Sequence, residues 1–299
     1  MATTLNISSL PDYVEQHRDE LFVQSTVGAK TLDYVEIMPN VKYKDALNYL
    51  DSEVELQAAT CEWNPTGSDT FGQRYIEVKP VAVQKEYCWL DMQKKYFNDQ
   101  LSFEIGREKL PWEEKLANSN VEKIKAAVEE LVWLGNSGIG ITGFIADAAT
   151  ASAATVDFAS GATAVGKIDA LVAALPIAMV NKGVNIFVSY SDFRNYVQES
   201  NGTCCANRAP IDAASEELTY LGDSRVKIVP VLGLENAGGK MVAATADALV
   251  YGTDIEGSET AYEIRYDKDS KKFKFDVLFN AGTAVKFPNE VVIGGPAAE

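Results

Sequence analysis

A mixed α+β fold is the class this sequence predicts, and three patterns carry the expectation. Apolar residues recur at helical spacing from Val121 to Leu134. Strand-like apolar runs stand at VNIFVSY (Val184–Tyr190) and VKIVPVLGL (Val226–Leu234). From Tyr262 onward, polar and apolar side chains alternate in short segments parted by turn residues. Neither an internal repeat nor a low-complexity tail interrupts this order.

The chain has 299 residues, of which 46% are hydrophobic and 23% charged, a globular composition that excludes wholesale disorder. Lys plus Arg number 27 and Asp plus Glu 43, for a net charge of −16. Such a chain is repelled by phosphate backbones, which makes sequence-specific DNA readers poor candidates. The lone histidine, His17, leaves no histidine-rich metal site and argues against a Ser-His-Asp triad. Cys61, Cys88, Cys204 and Cys205 contain no C-x-x-C pair, and the adjacent two would strain a mutual disulfide. Four free thiols in a reducing compartment are expected. With no signal segment at the start and no bilayer-length apolar run, the expectation is a soluble chain made in a cytoplasm. The N-x-[ST] sites at Asn6 and Asn201 then carry no glycan.

Taken in order, residues 1–48 read as an extended arm with short helical pieces, broken by Pro11, Gly28 and Pro39. Strands are expected at Val54–Cys61 and Arg74–Lys85, joined by the turn-rich EWNPTGSDTFGQ. A long hairpin of this kind is barely stable alone, so it should lean on its own domain or on a neighbouring subunit. Ser119 and Glu122 form a capping box that opens a helix. Val121, Ile124, Val128, Leu131 and Leu134 make its apolar stripe, and Glu122, Lys123, Lys125, Glu129 and Glu130 its polar face. Gly135-Asn136 ends the run, and Pro111–Glu114 could supply an earlier turn. The small-residue stretch 138–167 reads as loop with short strands. Ile168–Lys182 is helical, with Pro176 kinking it or starting a second segment, and Gly183 ends it. After the strand VNIFVSY, Ser191 or Asp192 caps a helix that Gly202 terminates. VKIVPVLGL with KMVAATADALVYGTD reads as a second strand-plus-helix unit. YEIRY, KFKFDVLF, TAVKF and EVVIG close the chain as strands, with Phe273 and Phe275 inward.

Few stretches suggest chemistry. Gly138, Gly140 and Gly143 spell G-x-G-x-x-G, a fingerprint that works when a strand leads in and a helix leads out. Here a helix precedes it, FIADAATASA follows without an amphipathic period, and Asp157 and Asp169 stand too near and too far for the ribose contact. A flexible glycine loop is the expectation. Glu113-Glu114, Glu129-Glu130 and Glu216-Glu217 diverge by about 100° on a helix and read as solvated faces. DKDSKK lacks the glycine and terminal glutamate of a calcium loop and reads as a turn. KKFKF reads as an amphipathic strand, and Trp63, Trp89, Trp112 and Trp133 as core or interface residues. No catalytic constellation, cofactor site or metal site emerges.

In their order, several stretches resemble the major capsid proteins of tailed bacteriophages of the Hong Kong 97 type. They are IMPNVKYKDALNYLDSEV, CEWNPTGSDTFGQRYIEVKPVAVQKEYC, WEEKLANSNVEKIKAAVEELVWLGN, GITGFIADAATA, NIFVSYSDFRNYV, VKIVPVLGL and NAGTAVKFPNEVVI. The similarity is closest to capsid proteins of crAss-like and related phages of gut Bacteroidetes. It implies an N-terminal arm (1–48), an E-loop (49–86), a peripheral domain with a spine helix (87–138 and 258–299) and an axial domain (139–257). It also implies a non-enzymatic shell protein, self-assembling as pentamers and hexamers in the virion after assembly in the host cytoplasm. Implied partners are a portal, possible decoration proteins and packaged DNA contacted only weakly. Because the arm begins almost at Met1, a separate scaffolding protein is expected. The E-loop contact with a neighbouring subunit would use Trp63, Asn64, Pro65, Gly67, Phe71 and Arg74. Alternatives are an encapsulin-type compartment shell in the same fold and a nucleotide-dependent enzyme built on Gly138–Gly143.

Overall fold

Two β-sheets and a long helix share the main core of the computed structural model. It describes residues 17, 21, 24, 25, 28–59, 66–88, 112–159, 161–202, 211–212, 217–220, 223–254, 262–270 and 272–296. A 3-10 turn at Lys30–Tyr34 precedes strand β1 (Glu36–Met38). Next come β2 (Lys44–Glu53), β3 (Ser68–Glu77) and β4 (Lys79–Cys88). Helix α1 (Trp112–Leu134) runs into a small ladder of β5 (Gly135–Asn136) and β6 (Ile141–Thr142). After α2 (Phe144–Thr150) and β7 (Ala154–Phe158) stand α3 (Ala164–Ala173) and α4 (Ile177–Lys182). Strand β8 (Val184–Ser189) leads into α5 (Tyr190–Gly202). Strands β9 (Ile211–Asp212), β10 (Glu217–Thr219), β11 (Val226–Val231), β12 (Met241–Ala244) and β13 (Leu249–Thr253) follow. The chain closes with β14 (Tyr262–Asp267), β15 (Lys272–Val285) and β16 (Val291–Pro296).

The seven-stranded sheet has the order β7-β16-β12-β8-β11-β10-β9 and is apolar on both faces. Phe187, Val229, Val231, Val242 and Ile293 point to the α1 side, while Ile186, Val188, Ile228, Ala243 and Val292 point to α3 and α5. A strand buried on both faces needs a continuous apolar run, which VNIFVS supplies. In the five-stranded sheet β15 pairs with β4 on one edge and with β14 and β13 on the other, and β1 lies parallel to β13. Phe273, Phe275, Val277 and Phe279 alternate inward, as their period requires. Strand β16, contiguous in sequence with the closing strands, pairs in the seven-stranded sheet.

Several expectations need correction. Helix α1 begins at Trp112, so Ser119 and Glu122 lie inside it and cap nothing. Val121, Ile124 and Val128 are buried, but Leu131 and Leu134 are half-buried along a groove of about 440 Å³ shared with Val81, Val83 and Phe279 of the five-stranded sheet. Glu129, assigned to the polar face, is buried. Stretch 138–167 contains α2 and β7 rather than mostly loop. The cap of α5 is Ser189, whose Oγ accepts from the Asp192 backbone N–H at 3.1 Å, rather than Ser191 or Asp192. After β11 the KMVAATADALVYGTD stretch forms two strands and no helix. TAVKF is largely the continuation of β15. Pro176 does begin a second helical segment, as N-cap of α4.

Candidate assembly surface

Strand β2 pairs with β3 over ten residues, Lys44 opposite Glu77 through Glu53 opposite Ser68. The hairpin's first strand therefore lies earlier than Val54–Cys61. Residues 54–59 are not strand, because the partner Ser68–Glu77 sets the register. Period 2 gives this ribbon two unlike faces.

The inner face holds it to the body. Leu47 and Ile76 are buried in a small cluster with Val41, Val78, Val250 and Ala284. Tyr49 stacks edge-on against Phe287 at 6.0 Å between centroids. It lies across its cross-strand partner Gly72, where a Cβ would sit 2.0 Å from the phenol ring. Arg74 Nη2 donates to both Asp147 carboxylate oxygens, at 3.1 and 3.2 Å.

The outer face is uncovered. Leu50, Phe71 and Tyr75 stand on it, and Tyr43, Val54 and Leu56, just beyond the paired strands, are exposed as well; these are six of the nine exposed large hydrophobic side chains among the described residues. Leu50 and Phe71 are direct cross-strand partners, exposed by 54% and 81%. Their neighbours on that face are polar but internally satisfied. Gln73 donates to Asn48 at 2.9 Å, Ser52 to Asp69, and the Lys44 ammonium lies 4.2 Å from the Tyr75 ring centre. At the root, Lys79 pairs with Glu77, holding that carboxyl below its usual range and raising its own pKa. The polar groups of this ribbon are thus satisfied internally while its apolar Leu50–Phe71 pair faces water.

Of the residues expected at a subunit contact, Gly67 leads into β3 and Phe71 stands on the exposed face. Arg74 is tied to Asp147 of its own chain. Trp63, Asn64 and Pro65 lie outside the described residues, as do Trp89, Cys61, Cys204 and Cys205. Trp133 is core, 4.9 Å from Phe187 and 5.6 Å from Phe144 between ring centres. Cys88 is a free, exposed thiol. Sequence reasoning missed Leu50, Val54, Leu56 and Tyr75. The adjacent apolar pair Tyr49-Leu50, which breaks alternation, was the available signal.

The glycine fingerprint does not have the geometry its chemistry needs. Gly138 and Gly140 lie in the turn between β5 and β6, after a helix, and Gly143 caps a seven-residue helix. No parallel strand leads into that helix, so the pyrophosphate cradle is not formed.

No protein-family model and no curated protein sequence matches the chain. Solved structures do. The capsid of a native gene-transfer-agent (GTA) particle aligns with TM-score 0.55 and 12% identity, covering 92% of this chain and 91% of that one. The satellite phage P4 procapsid, which includes the size determination protein, gives TM-score 0.56 and 9% identity over 99% and 92%. A virus-like particle from Pyrococcus furiosus gives 0.55 and 10% over 94% and 99%. Agreement across nearly the whole of each chain, rather than over one sheet, settles the architecture: the chain has the Hong Kong 97-type capsid fold.

Proposed function

We propose that this chain is the major capsid protein of a tailed bacteriophage, a structural protein that assembles with copies of itself, as pentamers and hexamers, into an icosahedral DNA-containing head. The uncovered outer face of the hairpin carries the proposal. Covering a Leu or Phe side chain is worth about 1.5–3 kcal/mol, and a ring of subunits repeats the contact head to tail. By this reading residues 1–48 are the N-terminal arm and 49–86 the E-loop. Residues 87–138 with 258–299 form the peripheral domain and 139–257 the axial domain. Trp63, Asn64, Pro65, Gly67 and Phe71 join Leu50, Val54, Leu56 and Tyr75 at the subunit contact, with Arg74 at its root.

Kinship with crAss-like phages is supported by the order of the sequence stretches quoted above. Partners would be a separate scaffolding protein and a portal, with assembly in the host cytoplasm. The net charge of −16 suits a wall that contacts packaged DNA only weakly. An encapsulin-type compartment shell is the second reading, and the likeness to phage capsids and a phage procapsid does not favour it. The chain, expressed alone and with the scaffold encoded beside it, should give closed shells by electron microscopy. Folded protein that stays monomeric under both conditions would contradict a shell function, and enzyme cargo in place of DNA in native particles would favour the compartment.

A further inference from the structure

The glycine-spaced stretch after α1 builds a bracket. Any Cβ at Gly143 would stand 2.4 Å from both the Gly135 nitrogen and the Trp133 carbonyl oxygen. Only glycine lets the start of α2 close onto the end of α1. One turn later comes Asp147, whose carboxylate accepts from the Val285 backbone N–H at 2.7 Å as well as from Arg74. A single side chain thus joins α2, the end of β15 and the hairpin. The junction falls where the hairpin leaves the body. Arg74 stands opposite Leu47, two rungs on is Tyr49–Gly72 on Phe287, and the rung directly after that is the exposed Leu50–Phe71 pair.

This pair is not arranged for stability. Arg74 and Asp147 side chains are 24% and 20% exposed, and Arg74 Nε is buried without a hydrogen-bond partner. A guanidinium desolvated with one N–H unmatched gains little net free energy. What the pair does supply is direction. The apolar contacts of Leu47 and Ile76 let a two-stranded ribbon roll, whereas a charge-assisted hydrogen bond fixes its orientation.

We propose that Asp147 is a positioning residue that, through Arg74, sets the angle at which the hairpin arm projects from the body. The purpose of that angle rests on the shell function; the angle itself can be measured on dissociated subunits. Labels placed at Leu56 and Asp247 through genetically encoded amino acids leave the cysteines untouched, and their separation is read by pulsed electron resonance. The parent should give one narrow distance distribution. Arg74→Gln and Asp147→Asn should broaden it and displace its mean, and Arg74→Lys should keep the mean. Arg74→Gln leaves the Asp147–Val285 bond intact, so it carries the test should Asp147→Asn fail to fold. A broad parent distribution, or an unchanged one in folded Arg74→Gln, overturns the proposal and leaves the angle to Leu47, Ile76 and Tyr49. In assembly, folded Arg74→Gln should give shells of altered diameter or open sheets, whereas a parent that forms no shells contradicts the capsid function without touching the angle.

Discussion

At Glu129 a carboxylate lies inside the face of α1 that the charge pattern would turn to solvent. It accepts from Thr31 Oγ1 at 3.0 Å and from the backbone N–H groups of Thr31 and Leu232, while Trp133 Nε1 donates to the same threonine oxygen at 2.8 Å. Burial raises the Glu129 pKa more than these donors and Lys30 lower it. A group whose folded pKa is raised contributes stability below its unfolded value and loses it as pH climbs through the folded one. Glu129→Gln keeps an acceptor and cannot ionise. Its stability relative to the parent should therefore improve as pH rises from the ordinary carboxylate range toward neutrality, read from denaturant unfolding at several pH values. A difference that is flat or falls with pH would contradict the buried placement. Trp133→Ala, which empties the centre of the same cluster, should cost about 3–5 kcal/mol in the same assay.

Among the elements, α1 was legible because Val121, Ile124 and Val128 keep a helical period, and its start was obscured by the Ser119–Glu122 box within it. Helix α2 was not legible, since FIADAAT is short and rich in small residues, and its buried Phe144, Ile145 and Ala148 span little more than one turn. The hairpin was legible in kind and displaced in register. Val54–Cys61 alternates as well as Lys44–Glu53 does, and only pairing with Ser68–Glu77 chooses between them. The assembly face was half legible. Phe71 and Gly67 were expected there, but Leu50 and Tyr75 join them only once pairing with Ser68–Glu77 distinguishes the ribbon's two faces. Replacing Leu50 and Phe71 together by serine removes a cross-strand pair worth about 0.2–1 kcal/mol. Circular dichroism and melting should hardly change, and assembly should be lost. A collapsed melting temperature would place that pair in the subunit's own core.

For the whole molecule, the charge of −16 sets the relation to nucleic acid. Purified subunit should not shift duplex DNA in a gel even at low salt, where phosphate contacts are strongest. A strong shift abolished by salt would reveal a basic face. Among the described residues the fold presents two covered sheets, one helix between them and an uncovered ribbon, and by the proposed function copies of the chain cover Leu50 and Phe71. An electron cryo-microscopy reconstruction of the assembled shell tests this most directly. Leu50, Phe71 and Tyr75 should be buried against a neighbouring subunit there, with the Arg74–Asp147 pair intact within each chain. A shell in which that face of the hairpin remains open to solvent would contradict it.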